Sequence, residues 1–327
     1  MNFGVVSTAN IATKAVVPAI QDSEHEVVAI ASRDASRATT TAEELDVERA
    51  YGSYGELLTD EAVEAVYNPL PNALHAEWTK KAADHGHHVL CEKPLAVDAD
   101  EAREMKAHCE ERGVTLMEAF MYRYHPRTLR AARVVREHLD DVRSVTATFQ
   151  FPMDDPDDVR LDPDLAGGCL MDVGCYAVDA TRLFLGEPER AYATTADTFG
   201  AGVDTELTAI LEYGDGATAE ISAGFTTSDV QRYRVEATNG WLEAPEAFVP
   251  RGDDGTELAY AVDGRRVTET FDPTDQYRRE VERFADYVES GERPRTDGAA
   301  AVRNLAVIDA LYESADVGRP VAVDRRE

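Results

Sequence analysis

Apolar and polar positions change period repeatedly along the first third of the chain. Short apolar runs at 3–6, 27–31, 63–67, 89–91 and 114–117 read as strands. Between them, helical spacing predicts helices over 10–21, 35–45, 72–84 and from Asp98 to Gly113. Asp98 followed by Glu101 is a capping-box-like start, and Gly113 is a stop. Strands separated by helices of about 10–15 residues imply right-handed crossovers and a parallel sheet.

Beyond about Met121 the texture changes. Residues 144–151, 205–213, 218–225 and 232–237 alternate with a period of two, and YGDGA, TNGW and VDGR place Asp-Gly or Asn-Gly where hairpins turn. Helical patterns recur at 168–185, 276–289 and 299–313. A chain of 327 residues is long for one core. The expectation is a doubly wound α/β domain over residues 1–121, then an α+β domain over 122–327 built on a large, mostly antiparallel open sheet.

Charge narrows the partners. Asp and Glu total 63 against 33 Lys and Arg, a formal charge of −30, and the acids are dispersed, as in DASRATTTAEELDVE and DDPDDVRLDPD. Five lysines stand against 28 arginines. Dispersed acids with arginine replacing lysine predict a halophilic surface whose self-repulsion salt would screen. Nucleic acid and anionic membranes need a basic footprint and are excluded as partners. No run approaches the ~18 apolar residues of a membrane span, and MNFGVVSTAN lacks the basic start of a signal peptide, so a cytoplasmic protein is expected. Cys91, Cys109, Cys169 and Cys175 form no C-x-x-C pair and read as reduced core thiols. No metal-ligand spacing is present, and no metal is expected.

Three stretches carry candidate chemistry. The first strand joins its helix through V-S-T-A-N-I-A, with Ser7, Ala9 and Ala12 where a dinucleotide fingerprint would have small residues, and Thr8, Asn10 and Ile11 between them. This is either an ordinary tight turn or a seat for a diphosphate on helix N-terminal amides. The second strand ends in Ser32-Arg33-Asp34, with Arg37 beyond. A hydroxyl and guanidinium groups suit a 2′-phosphate, hence NADP; an inward Asp34 would favour NAD. In LCEKPL, Lys93 sits where a parallel strand delivers ligands-binding residues, although a βα-loop lysine is ordinarily a surface group. In GGCLMDVGCYAVDATRLF, Asp172, Tyr176 and Asp179 share one helix face. A tyrosine flanked by acids is either a proton-transfer group or a packed phenol tied to a carboxylate.

With Y-N-P-L-P-N-A-L-H (67–75), E-K-P (92–94), M-E-A-F-M-Y-R-Y-H-P (117–126) and G-G-x-x-x-D-x-G-x-Y (167–176), the chain resembles the glucose–fructose oxidoreductase, inositol dehydrogenase and rhizopine catabolism (Gfo/Idh/MocA) family over nearly its whole length. Tyrosine at 176 looks like the branch of NADP-dependent xylose and dihydrodiol dehydrogenases. The resemblance implies a Rossmann-type first domain, a cis Lys93–Pro94 bond, and Lys93 and Tyr176 converging on the reacting hydroxyl, with Asp172 orienting Lys93 or the sugar. It further implies that Pro69, Leu70, Asn72 and His75 line the cofactor's ribose and nicotinamide, His75 otherwise reading as a helix-surface histidine. Glu92 is assigned to the cofactor as well; Arg123 reaches cofactor or substrate, or pairs with Glu118; and Phe149, Phe151 and Arg160 are substrate-side candidates, with core packing an equal explanation of the phenylalanines. Missing glycines at Ser7 and Ala9 depart from the usual fingerprint. The implied activity is oxidation of the anomeric hydroxyl of an aldose, best D-xylose to its lactone. A carbonyl reductase, a dihydrodiol dehydrogenase and a non-catalytic NAD(P) sensor are the alternatives. A second domain serving substrate binding and assembly into a dimer or tetramer is implied as well.

Overall fold

The structure is a computed structural model and describes residues 1–250 and 255–326. It divides into two compact units, one formed by Met1–Met121 with Asp275–Val302, the other by Tyr122–Thr274 with Arg303–Glu327.

In the first unit the chain runs β1 (Asn2–Val5), α1 (Val17–Gln21), β2 (Glu26–Ala31), α2 (Ala35–Glu44), β3 (Arg49–Tyr51), α3 (Tyr54–Leu58), β4 (Ala65–Asn68), α4 (His75–Asp84), β5 (His88–Glu92), α5 (Ala99–Arg112) and β6 (Leu116–Ala119). The strands lie in the order β3-β2-β1-β4-β5-β6, every neighbouring pair parallel. The order reverses beside β1, so the loops after β1 and β4 open at the switch point where such sheets bind ligands. Strand centres are fully buried at Phe3, Ile30, Tyr67 and Leu90, as expected of a sheet covered on both faces. Gly4 is required by that cover, because a Cβ there would stand 2.8 Å from Leu57 Cδ2. The Asp98 carboxylate caps α5 through the Glu101 amide, and Gly113 ends it with φ +68°.

The second unit begins with α6 (Pro126–His138) and β7 (Val142–Gln150), then α7 (Cys175–Leu185), β8 (Arg190–Ala196), β9 (Glu206–Glu212), β10 (Thr218–Gly224), β11 (Val230–Ala237), β12 (Gly240–Pro245), β13 (Thr256–Val262) and β14 (Arg265–Phe271). After it come α8 (Gln276–Ser290), α9 (Gly298–Val317) and β15 (Val321–Ala322). Nine strands lie in the order β14-β13-β12-β11-β7-β10-β9-β8-β15. The pairs are antiparallel except β7 with β10. Leu207, Ala209 and Leu211 of β9, and Ala219, Ile221 and Ala223 of β10, turn to the buried face, and α7 packs against β7, β10 and β11. All three Gly-containing turns predicted from the sequence sit between neighbouring antiparallel strands.

Three features differ from the sequence reading. The short β3 and α3 and the whole of α6 were not anticipated. The central β7–β10 pair is parallel, because the chain leaves β7 through the 151–168 loop and α7 before re-entering the sheet. And α8, assigned by sequence to residues 122–327, belongs to the first unit. Its Phe284 packs against Phe3 with ring centres 6.0 Å apart, both rings fully buried. Thr296 follows it and fastens to β6 by Glu118 N to Thr296 O (2.8 Å) and Thr296 Oγ1 to Glu118 O (2.7 Å).

Candidate active site

In the first unit, the turn after β1 leads into a wide i→i+5 segment at Ala12–Val16 before α1, a geometry frequent at functional sites. Thr8 is buried, Ser7, Ala9 and Ile11 are partly exposed and Asn10 is exposed. Ser7 Oγ accepts from the Ala9 amide at 3.1 Å, so a hydroxyl shapes the turn where a glycine is more usual. At the tip of β2, the Asp34 carboxylate accepts from the amides of Ser36 (2.9 Å) and Arg37 (3.2 Å). It caps α2 rather than turning inward, and Ser32 Oγ accepts from the Asp34 amide. Ser32, buried, and the exposed Arg33 and Arg37 are left at the tip. Small residues at the turn and a hydroxyl with two guanidinium groups beyond it fit a dinucleotide carrying a 2′-phosphate.

The β5 tip is the second element. Lys93–Pro94 is a cis peptide. Glu92 accepts from Tyr67 Oη at 2.7 Å through Oε1, and its Oε2 lies 3.4 Å from the Lys93 amide. Leu95 N is held by Glu118 Oε1 at 2.8 Å. Burial, then the Glu92 carboxylate, push the Tyr67 phenol well up, so it stays a donor. Sequence reasoning missed Glu280 of α8, a fully buried carboxyl that burial and Glu92 hold well above the usual carboxylate range.

His75 requires a correction. It was expected to line the cofactor, but it has no exposed surface, with Nδ1 2.9 Å from Pro94 O and Nε2 2.7 Å from Leu70 O. Each ring nitrogen faces a main-chain carbonyl and the one bearing the proton donates to it, so the buried ring sits between the loop after β4 and the loop after β5 rather than at a ligand surface. Asn68 reinforces this, its amide donating to His75 O and Thr79 Oγ1, each at 3.2 Å. Pro69 and Leu70 are buried and Asn72 is half-buried on the same loop.

In the second unit, a wide turn at Leu170–Gly174 precedes α7. Tyr176 is 4% exposed, its ring set among Tyr122 (5.9 Å), Phe149 (5.4 Å) and Phe248 (5.5 Å). Phe149 also stacks on Phe248 at 5.3 Å, so it packs the floor beneath the phenol. Asp172 Oδ2 lies 2.9 Å from Arg160 Nε, and Asp158 holds the same guanidinium. The expectation joined Asp172 to Lys93 or sugar; within this unit its carboxylate is engaged by Arg160. Asp179 takes Tyr122 Oη and accepts Arg123 Nη1 at 2.7 and 2.9 Å. Arg123 is thus paired with Asp179 rather than Glu118, and this buried ion pair anchors the Tyr122 ring against Tyr176. Phe248 carried no sequence signal beyond being aromatic, and Tyr122 none beyond its place in the 117–126 motif. Among the described residues, no cluster of His, Cys, Asp or Glu could hold a metal, and no helix is long and apolar enough to cross a membrane.

A turn at the switch point of a parallel sheet in one unit, and a buried tyrosine in the other, are features a nicotinamide-dependent oxidoreductase would use. Residues 1–120 match the family model described as "Oxidoreductase family, NAD-binding Rossmann fold", and residues 128–243 match "GFO/IDH/MocA C-terminal domain". The chain belongs to this GFO/IDH/MocA family. It is 57% identical over 325 residues to D-xylose 1-dehydrogenase (NADP(+)) 2 of Haloferax volcanii, covering 99% of this chain and all of that one. It is 33% identical to mouse trans-1,2-dihydrobenzene-1,2-diol dehydrogenase, covering 81% of this chain and 79% of the relative. A 3-ketoreductase from Actinomadura kijaniata, solved with NADP and TDP-benzene, superposes with a TM-score of 0.90 at 33% identity over 96% and 97% of the two chains. The aldose–aldose oxidoreductase of Caulobacter crescentus superposes with a TM-score of 0.91 at 28% identity, over 98% and 99%.

Proposed function

We propose that this protein is an NADP-dependent aldose dehydrogenase that oxidises the anomeric hydroxyl of D-xylose to the lactone. The carrying observation is the 57% identity to an NADP-dependent D-xylose 1-dehydrogenase along essentially the full length of both chains. The capped Asp34 beside Ser32 and Arg33 supports NADP over NAD, since the acid that would hold a ribose diol is spent on its own helix.

The residues assigned to the cofactor are the turn Ser7-Thr8-Ala9-Asn10-Ile11, the tip Ser32, Arg33 and Arg37, and Pro69, Leu70, Asn72, Glu92 and Lys93. NADP, when bound, supplies the acceptor for the hydride leaving the sugar carbon. Tyr176 takes the hydroxyl proton. An isolated phenol titrates near 10, too high for an efficient base at neutrality. An ammonium beside a phenol favours the phenolate, each unit of depression corresponding to about 1.4 kcal/mol, and this is the role assigned to Lys93. Arginine, planar and bulkier, would not serve in its place, which accounts for a lysine in a lysine-poor chain. Asp172 holds Arg160 toward the sugar hydroxyls, and Phe149 and Phe248 keep the phenol fixed. The acidic surface supports a salt-rich cytoplasm as the working medium, and the family supports a dimer or tetramer.

The test is initial-rate reduction of NADP and of NAD in concentrated potassium chloride with pentoses, hexoses, inositols and dihydrodiols. Xylose with NADP should give the highest kcat/KM. A higher value for a dihydrodiol, or none for any sugar while NADPH still binds, would overturn the assignment.

A further inference from the structure

Gly167 and Gly168 precede the helix that carries Asp172 and Tyr176, and the structure gives a reason for both. A Cβ on Gly167 would lie 2.4 Å from Arg160 O, and one on Gly168, whose φ is +116°, would lie 2.2 Å from Asp204 Oδ1. The backbone therefore passes directly against the 159–165 loop on one side and an aspartate on the other. Asp204 lies in the connection from β8 to β9, and its groups close on the helix start. Oδ2 accepts from Leu170 N at 2.7 Å and from Cys169 Sγ at 3.1 Å. Oδ1 accepts from Tyr312 Oη of α9 at 2.8 Å, and Asp204 O accepts from Cys169 N at 2.7 Å. The next turn begins with Asp172 N on Gly168 O at 3.0 Å. Gly168 N also donates to Arg160 O at 2.8 Å, so the residue whose guanidinium grips Asp172 hangs from the same turn.

We propose that Asp204, oriented by Tyr312, is a positioning residue of the reaction: it sets the rotation and depth of the helix start, and through it the placement of Asp172, Arg160 and Tyr176. This rests on the assignment of Tyr176 as proton acceptor. Burial raises the Asp204 carboxyl, and the Cys169, Leu170 and Tyr312 donors oppose that rise. Misplacing a reacting group by about 1 Å costs on the order of 100-fold in rate.

The experiment compares Asp204→Ala, Asp204→Asn, Tyr312→Phe and Tyr176→Phe in the full chain, reading kcat, KM for sugar, the pH profile of kcat, NADPH binding by fluorescence, and Tm. Asp204→Ala should lower kcat by about 10- to 100-fold and displace the pKa of the ascending limb, with NADPH affinity unchanged. Asparagine can accept from Leu170 N and donate to Tyr312, so Asp204→Asn should recover most of the rate. Tyr312→Phe, which deletes one oxygen, should cost several-fold in kcat and keeps the question decidable even if Asp204→Ala does not fold. A wild-type kcat and pH profile in folded Tyr312→Phe and Asp204→Ala, whatever their Tm, would overturn the proposal. Tyr176→Phe separates the two readings: if it stays active the proton-acceptor assignment fails, and if it is inactive while the Asp204 and Tyr312 variants behave as wild type, the positioning role alone fails.

Discussion

Replacing His75 by alanine is the most informative perturbation of the first unit, because both its size and its pH dependence follow from the geometry. The imidazole is fully buried between Leu70 O and Pro94 O. The neutral ring has a single N–H and so donates to one of the two carbonyls; without it that carbonyl loses its buried donor, at a cost of about 1–3 kcal/mol near neutrality. Burial lowers the imidazole from 6.5 to about 4, against the upward pull of the carbonyls of Pro94, Leu70 and Leu95 and with help from the Lys93 charge. The folded state thus prefers the neutral ring, and the unfolded chain takes up the proton first on acidification. His75's contribution is complete above the unfolded pKa of 6.5 and is lost as pH falls toward 4. At about pH 5 some 1.5 units of the difference are spent, about 2 kcal/mol at roughly 1.4 kcal/mol per unit. Urea unfolding of the wild type and His75→Ala at fixed potassium chloride, near pH 7.5 and near pH 5, gives two gaps in which all other titrating groups largely cancel. The gap should narrow by about 2 kcal/mol on acidification. A gap that widens would mean that the two carbonyls hold an imidazolium, and the reasoning from burial would be refuted.

Lys93→Met should abolish turnover, a loss of at least about 1000-fold in kcat, while NADPH titration by fluorescence stays within a few-fold of wild type; substantial residual turnover would remove Lys93 from the chemistry. Arg33→Asp should move the ratio of kcat/KM values for NADP and NAD toward NAD by about 10-fold or more, since a guanidinium–phosphate contact gives way to a like-charge one. An unchanged ratio would place the phosphate grip elsewhere. Gly168→Ala should destabilise by roughly 2–4 kcal/mol, from backbone strain at positive φ and displacement of the Asp204 bonds, with chemical denaturation as the check; a loss under ~0.5 kcal/mol would show that the turn can yield.

What the sequence displayed was local and periodic. The alternation of β9 and β10, the Asp98 cap and the Gly113 stop are written into neighbouring residues, and the structure reproduces them. The turn between β11 and β12 runs through Thr238 and Asn239, and Gly240 opens β12, where a Cβ would stand 1.9 Å from Ala261 O. Short edge elements such as β3 and α3 have too few residues to show a period. In α6, the buried stripe is interrupted by Arg127, a buried guanidinium donating to Pro245 O and Glu246 O, which masks a helix in composition. Lys93 and Tyr176 stood out through rarity and motif. His75 misled, because a histidine in a ligand-side loop reads the same whether its nitrogens face solvent or two carbonyls. Asp204 and Tyr312 gave no sign, for their meaning is a contact across 108 residues.

The return of the chain to its first unit has a consequence for biogenesis. Phe284 closes over Phe3 and Thr296 pairs with β6 only once residues beyond 275 exist. On the ribosome, the nucleotide-binding half therefore leaves the tunnel with its Phe3 face open, a side chain whose burial is worth about 1.5–3 kcal/mol. At about 5–20 residues per second it waits some ten to thirty seconds while the second unit's sheet is made. A gene cut after residue 121 would yield a fragment frozen in that waiting state, so the stretch that binds the dinucleotide is not a transplantable module unless the segment from Asp275 to Val302 travels with it.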